Sequence, residues 1–364
     1  MHEGDSCWAF GVSGSIAVVG ATGLVGREAL SILAERGVPA GCVHAIASER
    51  RAGEGVTYGG ESLTIESLGE VSFEGVGVAI FCATCEVARA HAPRAIEAGA
   101  FVVDNSSAFR LKPGVPLVVP EINADALKAR PRLAANPNCS TIILLASLEP
   151  LRRCFGIAGI DLATYQAISG AGLAALEELN AQTRSLAAGE PITPAYFGEP
   201  CAGNVFSHDS EVEILTGVNG EERKIIEETR KIWCDRSLRI SPTCVRVPVE
   251  RAHTQAITVE LGRTAGEAEV RACLARAPGL CVVDDRRGNG FPTPAKATGR
   301  DEILVGRIRP DPGTPVDDSG RAKRWCLLVS ADQLRKGAAL NAIQIAEILM
   351  NPARERALCV GEAS

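Results

Sequence analysis

The stretch SIAVVGATGLVGREALSILAER, residues 15–36, changes its period halfway along. Residues 16–19 form a short apolar run that reads as a strand, and a helical pattern follows with apolar Val25, Ala29, Leu30 and Leu33. Between them Gly20, Gly23 and Gly26 make a G-x-x-G-x-x-G turn. Glycine permits the tight turn and lets backbone N–H groups approach a pyrophosphate, which also gains from the helix N-terminus. A ligand-free βα turn would use glycine too. The strand–turn–helix context favours a dinucleotide.

Working outward, a second strand, CVHAIAS (42–48), ends at Ser48-Glu-Arg-Arg51. An NAD site calls for an acidic residue near this strand end, to hold the ribose hydroxyls. Ser48 with Arg50 or Arg51 offers donors and positive charge for a 2′-phosphate instead, which favours NADP. Further strand-like runs, VGVAIFCA (76–83) and FVVDNSS (101–107), flank the helical EVARAHAPRAIEAG (86–99). The first 140 residues thus alternate β and α, the pattern of a doubly wound parallel sheet.

Beyond residue 140 the character changes. GIAGIDLATYQAISG (156–170), LRISPTCVRVP (238–248), QAITVELG (255–262) and WCLLVSA (325–331) read as longer strands, with helices at 172–188, 220–233 and 266–277. This predicts an α+β domain on a mostly antiparallel sheet. Residues 284–321 read as loop-rich, and residues 337–349, GAALNAIQIAEIL, as a final helix. The expected organisation is an N-terminal extension (1–14), a dinucleotide-binding domain (15–139, completed by 337–364) and a catalytic domain (140–336).

The 364 residues carry a net charge of −6 and no basic patch, which argues against nucleic-acid binding. No apolar run approaches a membrane span, and the first residues lack the form of a signal peptide. Thirteen irregularly spaced cysteines predict reduced thiols and a cytoplasmic protein rather than a disulfide framework. Cys82 and Cys85 form a lone C-x-x-C without a second ligand pair, so no metal is expected.

One thiol stands apart. In ANPNCST (135–141), Cys139 follows Asn-Pro-Asn and opens the helix-like TIILLASLEPL. Asn-Pro turns the chain away from helix, so Cys139 meets the N–H groups and positive dipole end of the helix it begins. Such surroundings favour thiolate, although a buried structural cysteine is the commoner fate. A nucleophilic thiol beside a dinucleotide site implies aldehyde or acyl-phosphate chemistry, which needs a base and oxyanion donors. Of five histidines, His208 and His253 remain once the tail, an apolar strand and a helix of the first half are set aside.

The motifs GATGLVG, DNSSAFR, VPLVVPEIN, NPNCST, YQAISGAG, EERKIIEET, RVPVERAH, ATGRDEILVGRIR and RKGAALNAIQIAE occur in that order. In that order and spacing the chain resembles the aspartate-β-semialdehyde dehydrogenases from about residue 15 to 350. The resemblance implies reversible, NADP-dependent reductive dephosphorylation of aspartyl phosphate, in aspartate-family and diaminopimelate biosynthesis, by a homodimer contacting through the second domain. It implies that Cys139 is the acyl-forming nucleophile with Asn138 beside it, His253 the general acid/base, and Gln166 the orienting amide. Arg246 would hold the substrate carboxylate, Glu222 its amino group, and Lys224 with Arg110 the phosphate. Gly20, Thr22, Gly23, Leu24, Val25, Ser48 and Arg50 would bind the adenosine and phosphate portion of NADP, and Ser169, Gly170 and Asn341 its nicotinamide side.

Two readings compete: a reductase of similar build acting on N-acetylglutamyl phosphate, and a non-catalytic relative that kept the fold. An acylated substrate lacks the free amine that Glu222 is placed to meet, so assays on the two substrates separate the first, and the joint presence of Cys139, Gln166, Arg246 and His253 argues against the second.

Overall fold

The computed structural model describes residues 14–351. Apart from Gly14, the expected N-terminal extension lies outside the described residues, as do residues 352–364. The chain divides into two compact units, one ending at Asn138 and resuming at Ala338, the other Cys139–Gly337.

The first unit contains β1 (Ser15–Val19), α1 (Leu24–Glu35), β2 (Val43–Ala47), β3 (Gly55–Tyr58) and β4 (Glu61–Ser67). It continues through β5 (Val76–Phe81), α2 (Cys85–Glu97), β6 (Phe101–Asp104), α3 (Pro120–Asn123) and β7 (Leu133–Ala135). The strand order β3-β4-β2-β1-β5-β6-β7 places β1 centrally, with the chain wound outward on each side. This is the doubly wound sheet that the alternation predicts. Its β3–β4 edge is an antiparallel hairpin, which that alternation did not anticipate. β3 has only four residues and β4, ESLTIES, is largely polar, so no apolar run announces them.

Two glycines of the opening turn are required sterically. Gly20 has φ +88°, and a Cβ there would lie 2.3 Å from the Cys82 carbonyl oxygen. A Cβ on Gly26 would lie 2.1 Å from the Gly20 carbonyl oxygen, so only glycine lets α1 start this close to β1.

The second unit opens with α4 (Cys139–Phe155), followed by β8 (Ile157–Gln166), α5 (Leu173–Ala188), β9 (Phe206–Ser207), α6 (Gly220–Ile232) and β10 (Arg239–Arg246). Then come β11 (His253–Ala265), α7 (Glu267–Ala275), β12 (Leu280–Val282), α8 (Pro294–Ala297), β13 (Ile303–Pro310) and β14 (Ala322–Ala331). Their order is β12-β13-β14-β11-β8-β10-β9. The sheet is mixed: β8–β10 and β12–β13 are parallel and the other neighbours antiparallel. One expectation fails here. Residues 303–310 read as loop, yet β13 lies within the sheet. Gly306 and Arg307, the latter at φ +52°, interrupt the alternation at a register shift and hide the strand.

The chain then returns to the first unit as α9 (Leu340–Met350), preceded by a single wide turn over Arg335–Ala339 rather than by the expected earlier start. Every residue of α9 is buried. Ile343, Ile345, Ile348 and Leu349 join Ile16, Val18, Val78 and Ile80 in one core with Leu30 and Leu33 of α1. Each such side chain contributes roughly 1.5–3 kcal/mol. Among the described residues ten cysteines are free thiols, while Cys42 is disulfide-bonded, which departs from the expectation of reduced thiols throughout.

Candidate active site

Strand direction assembles the site. β8 and β10 run parallel, with Arg246 in register with Gln166, so both strands end at one edge of the sheet. β11 runs antiparallel to β8, and its first residue, His253, therefore starts at that same edge. The helix α4 packs on β11, and the Gln255 amide donates to the Ser140 carbonyl at 2.9 Å, fixing the first turn of α4 there. Cys139 Sγ consequently lies 3.5 Å from His253 Nε2. A Cβ on Gly337 would sit 3.1 Å from Cys139 Cβ, so the backbone passes close beside the thiol.

His253 is fully buried, and its Nδ1 accepts a hydrogen bond from the Ala167 N–H at 3.0 Å. Because a backbone N–H only donates, Nδ1 is unprotonated and Nε2, facing the thiol, carries the proton in the neutral ring. Burial, and then the Arg246 guanidinium, push the His253 pKa down to about 3. Ala252, at φ +74°, makes the turn that aims the ring.

Gln166 is also buried. Its Nε2 lies within hydrogen-bond range of Ser140 Oγ (3.0 Å), Glu221 Oε1 (3.2 Å) and Thr164 Oγ1 (3.3 Å), and its Oε1 receives Arg246 Nη1 at 3.5 Å. Arg246 donates from Nε to Asp209 Oδ1 at 2.8 Å and from Nη1 to the Ala167 carbonyl at 3.3 Å. Burial raises the Asp209 carboxyl, but the guanidinium outweighs it and holds the group below its ordinary value. Gly170 is packed against both cation and imidazole: a Cβ there would lie 3.0 Å from Arg246 Nη1 and 3.1 Å from His253 Cε1. Ser169 is buried and accepts from Gln333 Nε2 at 2.6 Å.

The acidic residue of the cluster is Glu221, not Glu222. Asn219 caps α6, and Glu222 occupies the third helical position of a capping box, accepting from the Asn219 N–H at 3.0 Å. Its other oxygen accepts from the Cys244 N–H at 3.0 Å, so the carboxylate is committed to backbone. Glu221, 3% exposed, meets Gln166 and takes an ion pair from Lys224 Nζ at 3.2 Å. Lys224 is three residues on, hence on the same helix face. The sequence held the signal: an Asn–x–x–Glu spacing at a helix start identifies the cap. His208 lies 3.9 Å from Glu221 across Nε2, and burial pushes its pKa down to about 4. Asp209 and Glu221 are the two site residues that sequence reasoning missed.

Within the first unit, Arg110 is buried rather than solvated. Its Nε donates to the Asn136 carbonyl at 2.9 Å and its Nη2 to the Asn105 carbonyl at 2.7 Å. Asn138, also buried, ends this unit. Asn341 is fully buried, and its Nδ2 donates to Asn136 Oδ1 at 2.6 Å and the Val118 carbonyl at 3.0 Å. Its place inside a helix buried all round, α9, leaves that amide bracing the Asn-Pro-Asn segment.

The dinucleotide turn fits an anion. Gly23 is the N-cap of α1, whose first turn has neither a side-chain cap nor an acidic residue, with Thr22, Leu24 and Val25 alongside. Its first N–H groups lack helical partners and suit a pyrophosphate. Ser48 and Arg50 are exposed at the end of β2, while Arg51 pairs with Glu54 at 3.1 Å.

Residues 15–130 match the semialdehyde dehydrogenase NAD binding domain, and residues 148–336 its dimerisation domain. An aspartate-semialdehyde dehydrogenase of Synechocystis sp. is 42% identical over 335 residues, 92% of this chain and 97% of that protein. The chain belongs to the aspartate-semialdehyde dehydrogenase family. The Bacillus subtilis relative is 40% identical over 343 residues, covering 92% of this chain and 96% of its own. A crystal structure of aspartate semialdehyde dehydrogenase II from Vibrio cholerae, complexed with ASA, is 38% identical with a TM-score of 0.86, covering 92% of this chain and 98% of that one. Among the described residues, no helix is long and apolar enough to cross a membrane.

Proposed function

We infer that the cluster around Cys139 and His253 is the reacting centre of an NADP-dependent aspartate-semialdehyde dehydrogenase. The enzyme interconverts L-aspartyl-4-phosphate and L-aspartate-4-semialdehyde by reversible reductive dephosphorylation, a step toward lysine, diaminopimelate, threonine and methionine. The observation that carries the site reading is the 3.5 Å approach of Cys139 Sγ to a buried imidazole whose protonated nitrogen faces it.

In the biosynthetic direction the Cys139 thiol gives up its proton to solvent, its sulfur attacks the acyl carbon, the C–S bond forms, and the C–O bond breaks with its electron pair leaving on phosphate. His253 Nε2–H stabilises negative charge developing at the reacting group. NADPH, when bound, supplies the hydride that reduces the thioester carbon. Breaking the C–S bond then returns the sulfur electron pair to Cys139 and frees the aldehyde. Gln166 orients the acyl group, Arg246 holds the α-carboxylate, and Glu221 accepts the α-ammonium. Lys224 holds phosphate, the role the resemblance also gives Arg110. Ser169 and Gly170 shape the nicotinamide side.

A carboxylate at Glu221 favours a free ammonium over an N-acyl amide, which speaks against N-acetylglutamyl phosphate as substrate. The enzyme is a homodimer. The sheet face carrying Asp161, Ala163 and Tyr165, the last 41% exposed, suits that contact. Its place is the cytoplasm, where reduced thiols persist. Phosphate-dependent reduction of NADP with aspartate semialdehyde tests this reading, and an unchanged rate in Cys139→Ala would overturn it.

A further inference from the structure

We propose that Cys154 and Cys273 form a reversible oxidation site that closes to a disulfide between α4 and α7. The two free sulfurs lie 2.8 Å apart. A disulfide needs about 2.05 Å, so closure asks for a shift of only about 0.8 Å, within reach of side-chain torsions. The two residues are 119 positions apart in sequence and meet only because α4 packs against α7.

The partners are unequal in a way that assigns their roles. Cys154 is exposed and open to a small oxidant, whereas Cys273 is partly buried and also donates to the Pro150 carbonyl at 3.1 Å. Burial, and then the neighbouring Cys154, push the Cys273 pKa up to about 12. Cys154 is therefore the thiol attacked first and Cys273 the resolving one. A hydroperoxide oxidises Cys154 to the sulfenic acid, its O–O bond breaking and an alcohol or water leaving. The Cys273 sulfur then attacks the sulfenic sulfur, the S–S bond forms, and water departs with the Cys273 proton. Two thiols and one hydroperoxide give one disulfide, one alcohol (or water) and one water.

The site is separate from the catalytic thiol. Cys139 and Cys154 stand near opposite ends of α4, about 22 Å apart at 1.5 Å per residue. The bond would anchor the far end of the helix that Cys139 begins.

The test treats the reduced, full-length enzyme with stoichiometric hydrogen peroxide and maps non-reduced peptides by mass spectrometry. The expected product is a peptide pair joined through Cys154 and Cys273, short of two hydrogens and separated by dithiothreitol. It should form equally in a Cys139→Ser background. Cys273→Ser should leave Cys154 as a sulfenic acid that a cyclic 1,3-dione traps. Cys154→Ser should leave Cys273 unoxidised at the same dose. Persistence of the Cys154 sulfenic acid in the native enzyme without cross-linking, or pairing of Cys154 with another cysteine, would overturn the proposal.

Discussion

The Ala167 N–H donates to His253 Nδ1 at 3.0 Å while His253 Nε2 faces Cys139 Sγ at 3.5 Å, so one backbone group decides which ring nitrogen presents a proton to the nucleophile. With Nδ1 occupied as an acceptor, the imidazolium would set two N–H groups against each other. Nitrogen-15 NMR should find His253 as the Nε2–H tautomer down to about pH 5. A ring protonated at Nδ1, or titrating near the ordinary 6.5, would contradict the assignment.

Stability should fall on mild acidification. His253 and His208 have folded pKa values of about 3 and about 4, below the ordinary 6.5, so folding favours the neutral rings. That stability is fully present above 6.5 and is lost as pH falls from there toward the folded values. Each buried ring contributes a slope of about 1.4 kcal/mol per pH unit within that window. Urea midpoints measured from about pH 7 to about pH 5 should drop, and His208→Gln should flatten the drop. A flat profile in the parent enzyme would refute this.

The two neighbouring glutamates should separate cleanly. Glu221→Gln removes a carboxylate meeting Gln166 and Lys224, and should raise KM for the semialdehyde roughly ten- to a hundredfold. Glu222→Ala removes half of the α6 capping box and should cost about 1–2 kcal/mol of stability with a smaller kinetic effect. The reverse pattern would return the substrate role to Glu222.

Asp209 should act on the substrate through Arg246. By holding Nε at 2.8 Å it leaves the outer guanidinium edge to a carboxylate. Asp209→Asn and Arg246→Lys should both raise the semialdehyde KM with little change for phosphate, whereas Lys224→Ala should chiefly raise the phosphate KM. The expected losses are about 1.5–3 kcal/mol for a charge-assisted bond, less for Asp209→Asn. A semialdehyde KM that falls in Asp209→Asn would mean that Asp209 competes with substrate.

Arg50→Ala should weaken NADP at least tenfold more than NAD, since Arg50 is the exposed cation at the end of β2. Equal losses for both cofactors would show that the adenosine end lies elsewhere.

The sequence by itself determined what is local. The period change at Gly20, the glycines at 20 and 26 and the apolar strand runs specify the doubly wound unit, because turn sterics and side-chain alternation act within a few residues. It likewise marked Cys139, since a helix start after Asn-Pro is legible in one heptapeptide. It did not reveal β13, whose alternation breaks at Gly306 and Arg307, nor the polar β3–β4 edge. Only the tertiary structure decided that Gln166, Arg246 and His253 share one sheet edge, because that follows from parallel β8–β10 pairing and an antiparallel β11. It also chose between Glu221 and Glu222: adjacent helical residues point about 100° apart, so one cap hydrogen bond turns Glu222 to the backbone and sends Glu221 to the site.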